Sequence, residues 1–398
     1  MKKIAFVVPW YGDNIPGGAE AALRGITDHL YDAGVDIEIL TTTVEKFASD
    51  WNKNFYKPGQ YRSKRGILIR RFNIRKRNTE IFDAINLKLM RNNALTLEEE
   101  NIFQKEMVNS PDLYAYIREN RSEYSFFVFI PYMFGTTYWG VQECLEQAVL
   151  IPCFHDENYV YMKTFREVYS KVAGMLFNAQ PEEELTRKVY DIANVKTEVM
   201  GLGLDVDLTY DAERFRRKYQ ITDPFILYAG RKDKGKNIDT LITYFKRYKE
   251  TQKDHLKLVL IGGGELNIPA EIKADIYDLG FVDLQDKYDA YGAAALLCQP
   301  SKNESFSFVI MESWLCNRPV LVHEGCPVTK NFVKTCNGGL YFNSYYEFQE
   351  TVKYILKHPD IADQMAKNGH DYVCDNFAWD VIVKKYQNFF KELEERNA

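Results

Sequence analysis

Histidine is scarce in this chain and cysteine is unpaired. The six histidines form no H-x-x-x-H pair, and the seven cysteines (Cys144, Cys153, Cys298, Cys316, Cys326, Cys336 and Cys374) form no C-x-x-C pair. Both absences speak against the common zinc patterns, and no metal site is expected. An odd, scattered set of cysteines in 398 residues points to reduced thiols and a cytoplasmic setting. No stretch approaches the ~20 apolar residues of a membrane-spanning helix. Lys2-Lys3 followed by Ile4 to Val8 is too short for a signal-peptide core and breaks at Pro9 without a cleavage pattern, so it reads as a buried first strand. Positive charge is not in excess. A formal net charge of -5 argues against a general nucleic-acid binder, and no nucleic-acid partner is expected. No G-x-G-x-x-G follows the first strand, which disfavours a nicotinamide dehydrogenase.

What is present describes an α/β protein of two domains. The length exceeds what one core usually organises, and 46% hydrophobic with 27% charged residues is ordinary globular composition. Lys3 to Val8, a glycine-containing loop, a helix carrying Ala22, Leu23, Ile26 and Leu30 on one face, and a strand from Val35 to Leu40 begin a doubly wound sheet. Gly17-Gly18 at the helix entrance would let backbone amides approach a ligand, or only make the turn. Further buried strands are read at Ser125 to Pro131, Ala148 to Phe154 and Gly174 to Asn178. The pattern restarts with strands at Phe225 to Ala229 and Leu256 to Ile261.

Three polar stretches invite a functional reading. Arg62, Lys64, Arg65, Arg70, Arg71, Arg75, Lys76 and Arg77 lie in a run without acidic residues. A solvated edge strand and a patch for anionic headgroups or a pyrophosphate explain it equally well. His155, with Asp156 and Glu157 competing beside it, follows the strand from Ala148, where parallel sheets place ligand contacts. Gly230-Arg231-Lys232-Asp233-Lys234-Gly235-Lys236 follows the strand from Phe225. Arginine and lysine on such a turn suit phosphate oxygens, one as a fork and the other as a point charge, although charged surface turns are common.

The most informative stretch runs from Ser301 to Glu312. An apolar run, Ala293 to Cys298, leads through Gln299-Pro300 into it, and helical spacing of Phe306, Val309, Ile310, Ser313 and Trp314 predicts a helix from Ser305. On one helix, Glu304 and Glu312 would lie up to ~12 Å apart along the axis and within a quadrant of each other, at about 100° per residue. Between them would lie the unpaired N–H groups of a helix N-terminus, which favour an anion. Either one carboxylate holds a sugar and the other a ribose, with a diphosphate over the helix end, or Glu304 and Ser305 are ordinary capping and first-turn residues and Glu312 a solvated helix position, the commoner outcome for this spacing alone.

This arrangement resembles the E-x7-E motif of retaining GT-B glycosyltransferases, in particular glycosyltransferase family 4 (group 1). Pro16-Gly17-Gly18-Ala19-Glu20 is similar to that family's acceptor-domain loop, which reaches the donor phosphates. Gly230-Arg231 with Lys236-Asn237-Ile238-Asp239 is similar to its diphosphate clamp, with Lys234 competing with Lys236. Gly280-Phe281-Val282 is similar to the segment that pairs with the nucleobase, and Gly262-Gly263-Gly264 to the turn beneath the nucleotide. His155 falls where the family often carries an active-site histidine.

The resemblance implies two Rossmann-like domains facing a central cleft. Residues 1–205 would form the acceptor-binding domain and 206–376 the donor-binding domain. Helix 377–398 would cross back to the first domain through Trp379, Val383, Tyr386 and Phe390. It implies a hexosyltransferase-type enzyme moving a sugar from a nucleotide-diphosphate sugar to a carbohydrate or lipid-linked glycan. The expected setting is polysaccharide assembly at the cytoplasmic face of a membrane, with peripheral contact to anionic lipid. Catalysis would fall to Glu304, His155, Arg231 and Lys236. Donor binding would fall to Gly17, Gly18, Gly230, Phe281, Val282, Ser305, Phe306, Ser307 and Glu312, with Arg231, Lys236 and Glu304 also touching the donor. No cofactor is implied, the nucleotide sugar being the substrate. A sugar phosphorylase, a nucleotide-sugar epimerase or a catalytically silent partner subunit would use the same fold.

Overall fold

A computed structural model describes residues 2–15 and 18–397. The chain divides into two compact units, one running to Gly203 and resuming at Trp379, the other spanning Leu204–Ala378.

Among the described residues the first unit is built on eight strands: β1 Lys3–Val8, β2 Ile37–Thr42, β3 Gly59–Arg62, β4 Leu68–Phe72, β5 Tyr124–Phe129, β6 Ala148–Leu150, β7 Gly174–Phe177 and β8 Lys196–Val199. Their order is β3-β4-β2-β1-β5-β6-β7-β8. All pairs are parallel except β3 with β4. Strand β1 is buried from Ile4 to Val8 and β2 along its whole length, as expected of parallel strands covered on both faces. Order reverses between β1 and β5, the kind of switch point where open α/β sheets bind ligands at strand carboxyl ends.

The final helix, Trp379–Asn397, packs within this unit. Trp379 stacks on His29 with ring centroids 3.9 Å apart. A Cβ at Gly25 would come within 2.5 Å of its indole and one at Gly203 within 2.1 Å, so both glycines are needed for the tryptophan to seat. Gly203 is therefore a packing position. Ile382, Tyr386, Phe389, Phe390 and Leu393 form the buried face, while Val383 is only partly covered.

The basic run is largely used inside this unit. Strand β4 is covered by β3 and is not the edge. Arg70 pairs with Glu38, Arg65 with Asp32 at 2.9 Å, and Arg75 with Glu106 at 3.3 Å. Arg71 is buried and donates to the Tyr11 carbonyl at 2.7 Å, and the Arg77 guanidinium lies 4.7 Å from the Trp51 ring centre. Among the described residues no helix is long and apolar enough to cross a membrane.

The second unit has six parallel strands: β9 Phe225–Ala229, β10 Lys257–Ile261, β11 Ile276–Gly280, β12 Leu296–Gln299, β13 Val320–His323 and β14 Gly339–Phe342. Their order is β11-β10-β9-β12-β13-β14, and the switch point falls between β9 and β12. Loops leaving β10, β9 and β12 thus start side by side on one sheet edge.

Candidate functional site

The loop after β9 rests on the loop after β10. The Gly230 amide donates to the Ile261 carbonyl at 3.0 Å, and the Lys232 amide donates to the Gly263 carbonyl at 2.7 Å. Gly262 has φ +118°, and a Cβ there would stand 2.0 Å from the Gly230 carbonyl oxygen. No side chain fits between these backbones. From below, the buried Tyr228 hydroxyl donates to the Arg231 carbonyl. The glycine turn is thus the support on which the Arg231 loop is held.

Side chains on that loop separate by direction. Arg231 is 75% exposed, with Nε 3.5 Å from Asp233. Lys232 turns inward and is buried against Asp278. Asp233 accepts from the Lys236 amide at 3.1 Å, which shapes a tight turn, and Lys234 points to solvent. Lys236 reaches across the switch point, its Nζ 2.7 Å from Glu304 Oε1. Asn237 joins the same two loops by donating to the Pro300 carbonyl at 2.9 Å. Of the competing lysines, Lys236 is the one beside Glu304.

Glu304 is 9% exposed at its side chain. Its Oε1 takes Lys236 and a longer contact from Gln299 Nε2 at 3.4 Å, while Oε2 accepts from no group among the described residues. A carboxylate this well covered, with one oxygen left for a hydrogen-bond donor, is not an ordinary capping residue.

The expected helix from Ser305 begins instead at Phe308 and runs to Leu315. Packing overrides the local signal. Phe306 is buried against Phe308, Phe332 and Phe377, with centroids 5.6, 5.5 and 5.0 Å away. To place it there, the chain turns left-handed at Ser307 (φ 74°, ψ 76°) before the helix starts. A non-glycine residue held so costs on the order of 1–3 kcal/mol, and such outliers gather at functional sites. The Ser307 hydroxyl is buried without a partner among the described residues. Glu304 and Glu312 therefore do not share a helix, and the free first-turn amides begin at Phe308 rather than at Phe306 and Ser307.

Glu312, 12% exposed at its side chain, lies inside that helix. Its Oε1 is 2.5 Å from Lys287 Nζ, and its Oε2 accepts from the Tyr291 hydroxyl at 2.9 Å. Both donors come from the helix Leu284–Ala293. Sequence reasoning missed them. Their i, i+4 spacing puts them on one face, but nothing local names the carboxylate that face meets. Phe281, beyond the end of β11, is 87% exposed and lies over Gly263, where a Cβ would be 2.5 Å from its ring. Val282 beside it is half-buried.

In the first unit, Gly17 lies outside the described residues, and Gly18 opens the helix Gly18–Asp32. A Cβ at Gly18 would meet nothing within 4 Å, so packing does not demand glycine there. The strand expected through Phe154 stops at Leu150, because Pro152 has no N–H to pair and Cys153 is left-handed (φ 58°). His155 follows, with Nδ1 3.8 Å from Glu157 Oε1 and 29% of its side chain exposed. Asp156 is engaged by the Tyr161 hydroxyl at 2.7 Å.

The His155 loop is anchored by Glu182. Its two oxygens accept the Phe154 and Asn178 amides, each at 2.8 Å. Burial pushes this carboxyl up to about 7, against the opposing pull of those amides and of His155. Glu182, at the start of the helix Gln180–Val189, was passed over in sequence as one of three consecutive glutamates.

Residues 211–372 match the family described as Glycosyl transferases group 1. That stretch lies inside the second unit and contains Arg231, Lys236, Glu304 and Glu312. An uncharacterized glycosyltransferase of Methanocaldococcus jannaschii is 22% identical over 59% of this chain and 64% of its own length. A Campylobacter jejuni relative, N-acetylgalactosamine-N,N'-diacetylbacillosaminyl-diphospho-undecaprenol 4-alpha-N-acetylgalactosaminyltransferase, is 28% identical over 48% of this chain and 52% of its own. The chain thus spans between about half and two thirds of the length of these curated relatives. The solved structure of Anabaena HepE in complex with UDP and glucose superposes with a TM-score of 0.71 over 98% of this chain and all of that one, at 14% identity. Likeness at that identity is one of fold. The two parallel-sheet domains have the GT-B fold.

Proposed function

We propose that this chain transfers a sugar, with retention of anomeric configuration, from a nucleoside-diphosphate sugar to a carbohydrate or lipid-linked glycan. The observation that carries the reading is the meeting of Lys236 and Glu304. Residues far apart in sequence come within 2.7 Å at the switch point, and one carboxylate oxygen is left for a ligand. The group 1 match over 211–372 and the UDP-glucose complex of Anabaena HepE support the donor class.

In this reading Glu304 Oε2 accepts from a donor-sugar hydroxyl and fixes the anomeric carbon. Arg231, Lys236 and the free amides at the start of Phe308–Leu315 offset the charge that grows on the departing diphosphate. Glu312 accepts from the ribose, and exposed Phe281 offers a face to the base. The bond from the anomeric carbon to the phosphate oxygen breaks as the bond to the acceptor oxygen forms on the same face, and the acceptor proton passes to the leaving phosphate. His155 is assigned to sugar or acceptor hydroxyls near the reacting carbon.

Thermal unfolding with UDP, GDP, ADP and their sugars tests the donor site. A nucleotide at 100 times its Kd adds roughly 2.7 kcal/mol to the unit that binds it. The expected result is a clear upward shift with one base, lost in Arg231→Ala. Absence of a shift with every nucleotide would overturn the reading.

A further inference from the structure

Three strand-end loops of the first unit meet in an aromatic cluster that the proposed chemistry leaves unused. Trp10 follows β1, Phe47 and Trp51 follow β2, and Phe134 follows β5, so the cluster stands on the carboxyl edge of the sheet at its switch point. Trp10 and Trp51 stack with centroids 6.1 Å apart, and Phe134 meets Trp10 edge-on at 4.9 Å. The Trp10 indole N–H donates to Glu20 at 2.9 Å, which fixes its plane. Phe47 differs from the other three. It packs against both tryptophans, at 5.9 and 5.8 Å, yet 61% of it is exposed. Its own carbonyl accepts the Trp51 indole N–H at 2.9 Å, so the two residues are tied to one another. A single exposed phenylalanine is ordinary, whereas one seated on two stacked tryptophans at a switch point extends a platform.

The charges around the ring decide its occupant. Residues 45–50 carry two carboxylates, Glu45 and Asp50, and one lysine, Lys46, whose Nζ lies 3.7 Å from Glu45. Excess negative charge opposes a pyrophosphate or an anionic lipid surface. It suits the hydroxyls of a neutral sugar, which donate to carboxylates, while the C–H face of the same ring lies on an aromatic one. We propose that Phe47, seated on Trp10 and Trp51, stacks the apolar face of an uncharged pyranose, the acceptor sugar of the transfer. The inference rests on the reading above and adds to it the chemistry of the second substrate.

Tryptophan emission of the full chain, titrated with the methyl pyranosides of glucose, galactose, mannose, N-acetylglucosamine and N-acetylgalactosamine, tests it. At least one glycoside is expected to change the emission saturably. Phe47→Ala should weaken that glycoside by about 5–10-fold at an unchanged melting temperature, because the ring it removes is mostly in water, and Phe47→Tyr should restore the affinity. Tyr346→Ala, which removes a ring 65% exposed on the second unit, should leave it unchanged. No saturable change with any of these glycosides, or equal affinity in Phe47→Ala, would overturn the inference. So would emission that responds only to vesicles of phosphatidylcholine with phosphatidylglycerol, or only to the concentration of the chain itself. Nucleotide stabilisation without a glycoside response removes the platform and leaves the donor reading in place. A glycoside response without stabilisation by any nucleotide would overturn both the donor reading and the platform's role as acceptor site.

Discussion

Glu304→Gln is expected to lower kcat by on the order of 10²-fold or more while leaving the fold intact. Glutamine keeps the shape but removes the charge, and it gives Lys236 a neutral oxygen where a carboxylate now stands 2.7 Å away. Lys236 keeps about a quarter of its side chain in water, so the folded state loses little, on the order of 1 kcal/mol. Turnover loses more. Under the proposed transfer, the contact from Oε2 to the sugar would tighten as the anomeric carbon gains positive charge, and an amide would offer a donor or a weaker acceptor in its place. Initial rates with the matching nucleotide sugar, set beside the melting temperature, separate the two effects. A kcat within about 3-fold of wild type would remove Glu304 from the reaction.

Glu182 should make the first unit's stability depend on pH in a direction unusual for a carboxyl group. Folding holds its proton until about pH 7, whereas the unfolded chain releases it near the ordinary value of 4.5. Between those values the folded chain binds the extra proton, so rising pH favours unfolding; the contribution is full below 4.5 and is lost as pH rises through 7. Integrated over that window, the loss is roughly 3 kcal/mol. In Glu182→Gln the titration disappears, at the cost of one amide, Phe154 or Asn178, facing an NH2 instead of an oxygen. The transition that the variant shifts, followed in urea from pH 4.5 to 8, should show the wild type's advantage shrinking up to pH 7 and constant above it. An advantage independent of pH would contradict the account.

Strand interiors were legible and strand ends less so. Phe225–Ala229 could be read outright, since a strand covered on both faces is a continuous apolar run. The strand at Ala148 was read too long, because Ile151 and Phe154 are as buried as the strand itself and only Pro152 and the left-handed Cys153 break the ladder. The helix start after Glu304 was misplaced for a different reason. The apolar spacing of Phe306 fits a helix, yet its side chain is held among Phe308, Phe332 and Phe377, the last more than seventy positions away in the sequence.

At the site itself, residue types were legible and partnerships were not. Arg231, Lys236 and Glu304 stood out by resemblance, but that Lys232 faces inward depends on Asp278 and the neighbouring glycine turn. Lys287 and Tyr291 sit in a helix with no motif of its own, and their meaning appears only once Glu312 is placed beside them. Ser307 reads as a helical residue and is a left-handed turn instead.

The most direct measurement is the configuration of the first sugar released when the chain, given the nucleotide sugar that stabilises it, transfers to water. Proton NMR distinguishes the anomers before mutarotation mixes them. An α-linked donor is expected to give the α-sugar first, together with the nucleoside diphosphate. Release of the β-sugar first, or no release from any nucleotide sugar that binds, would contradict retaining transfer at Glu304.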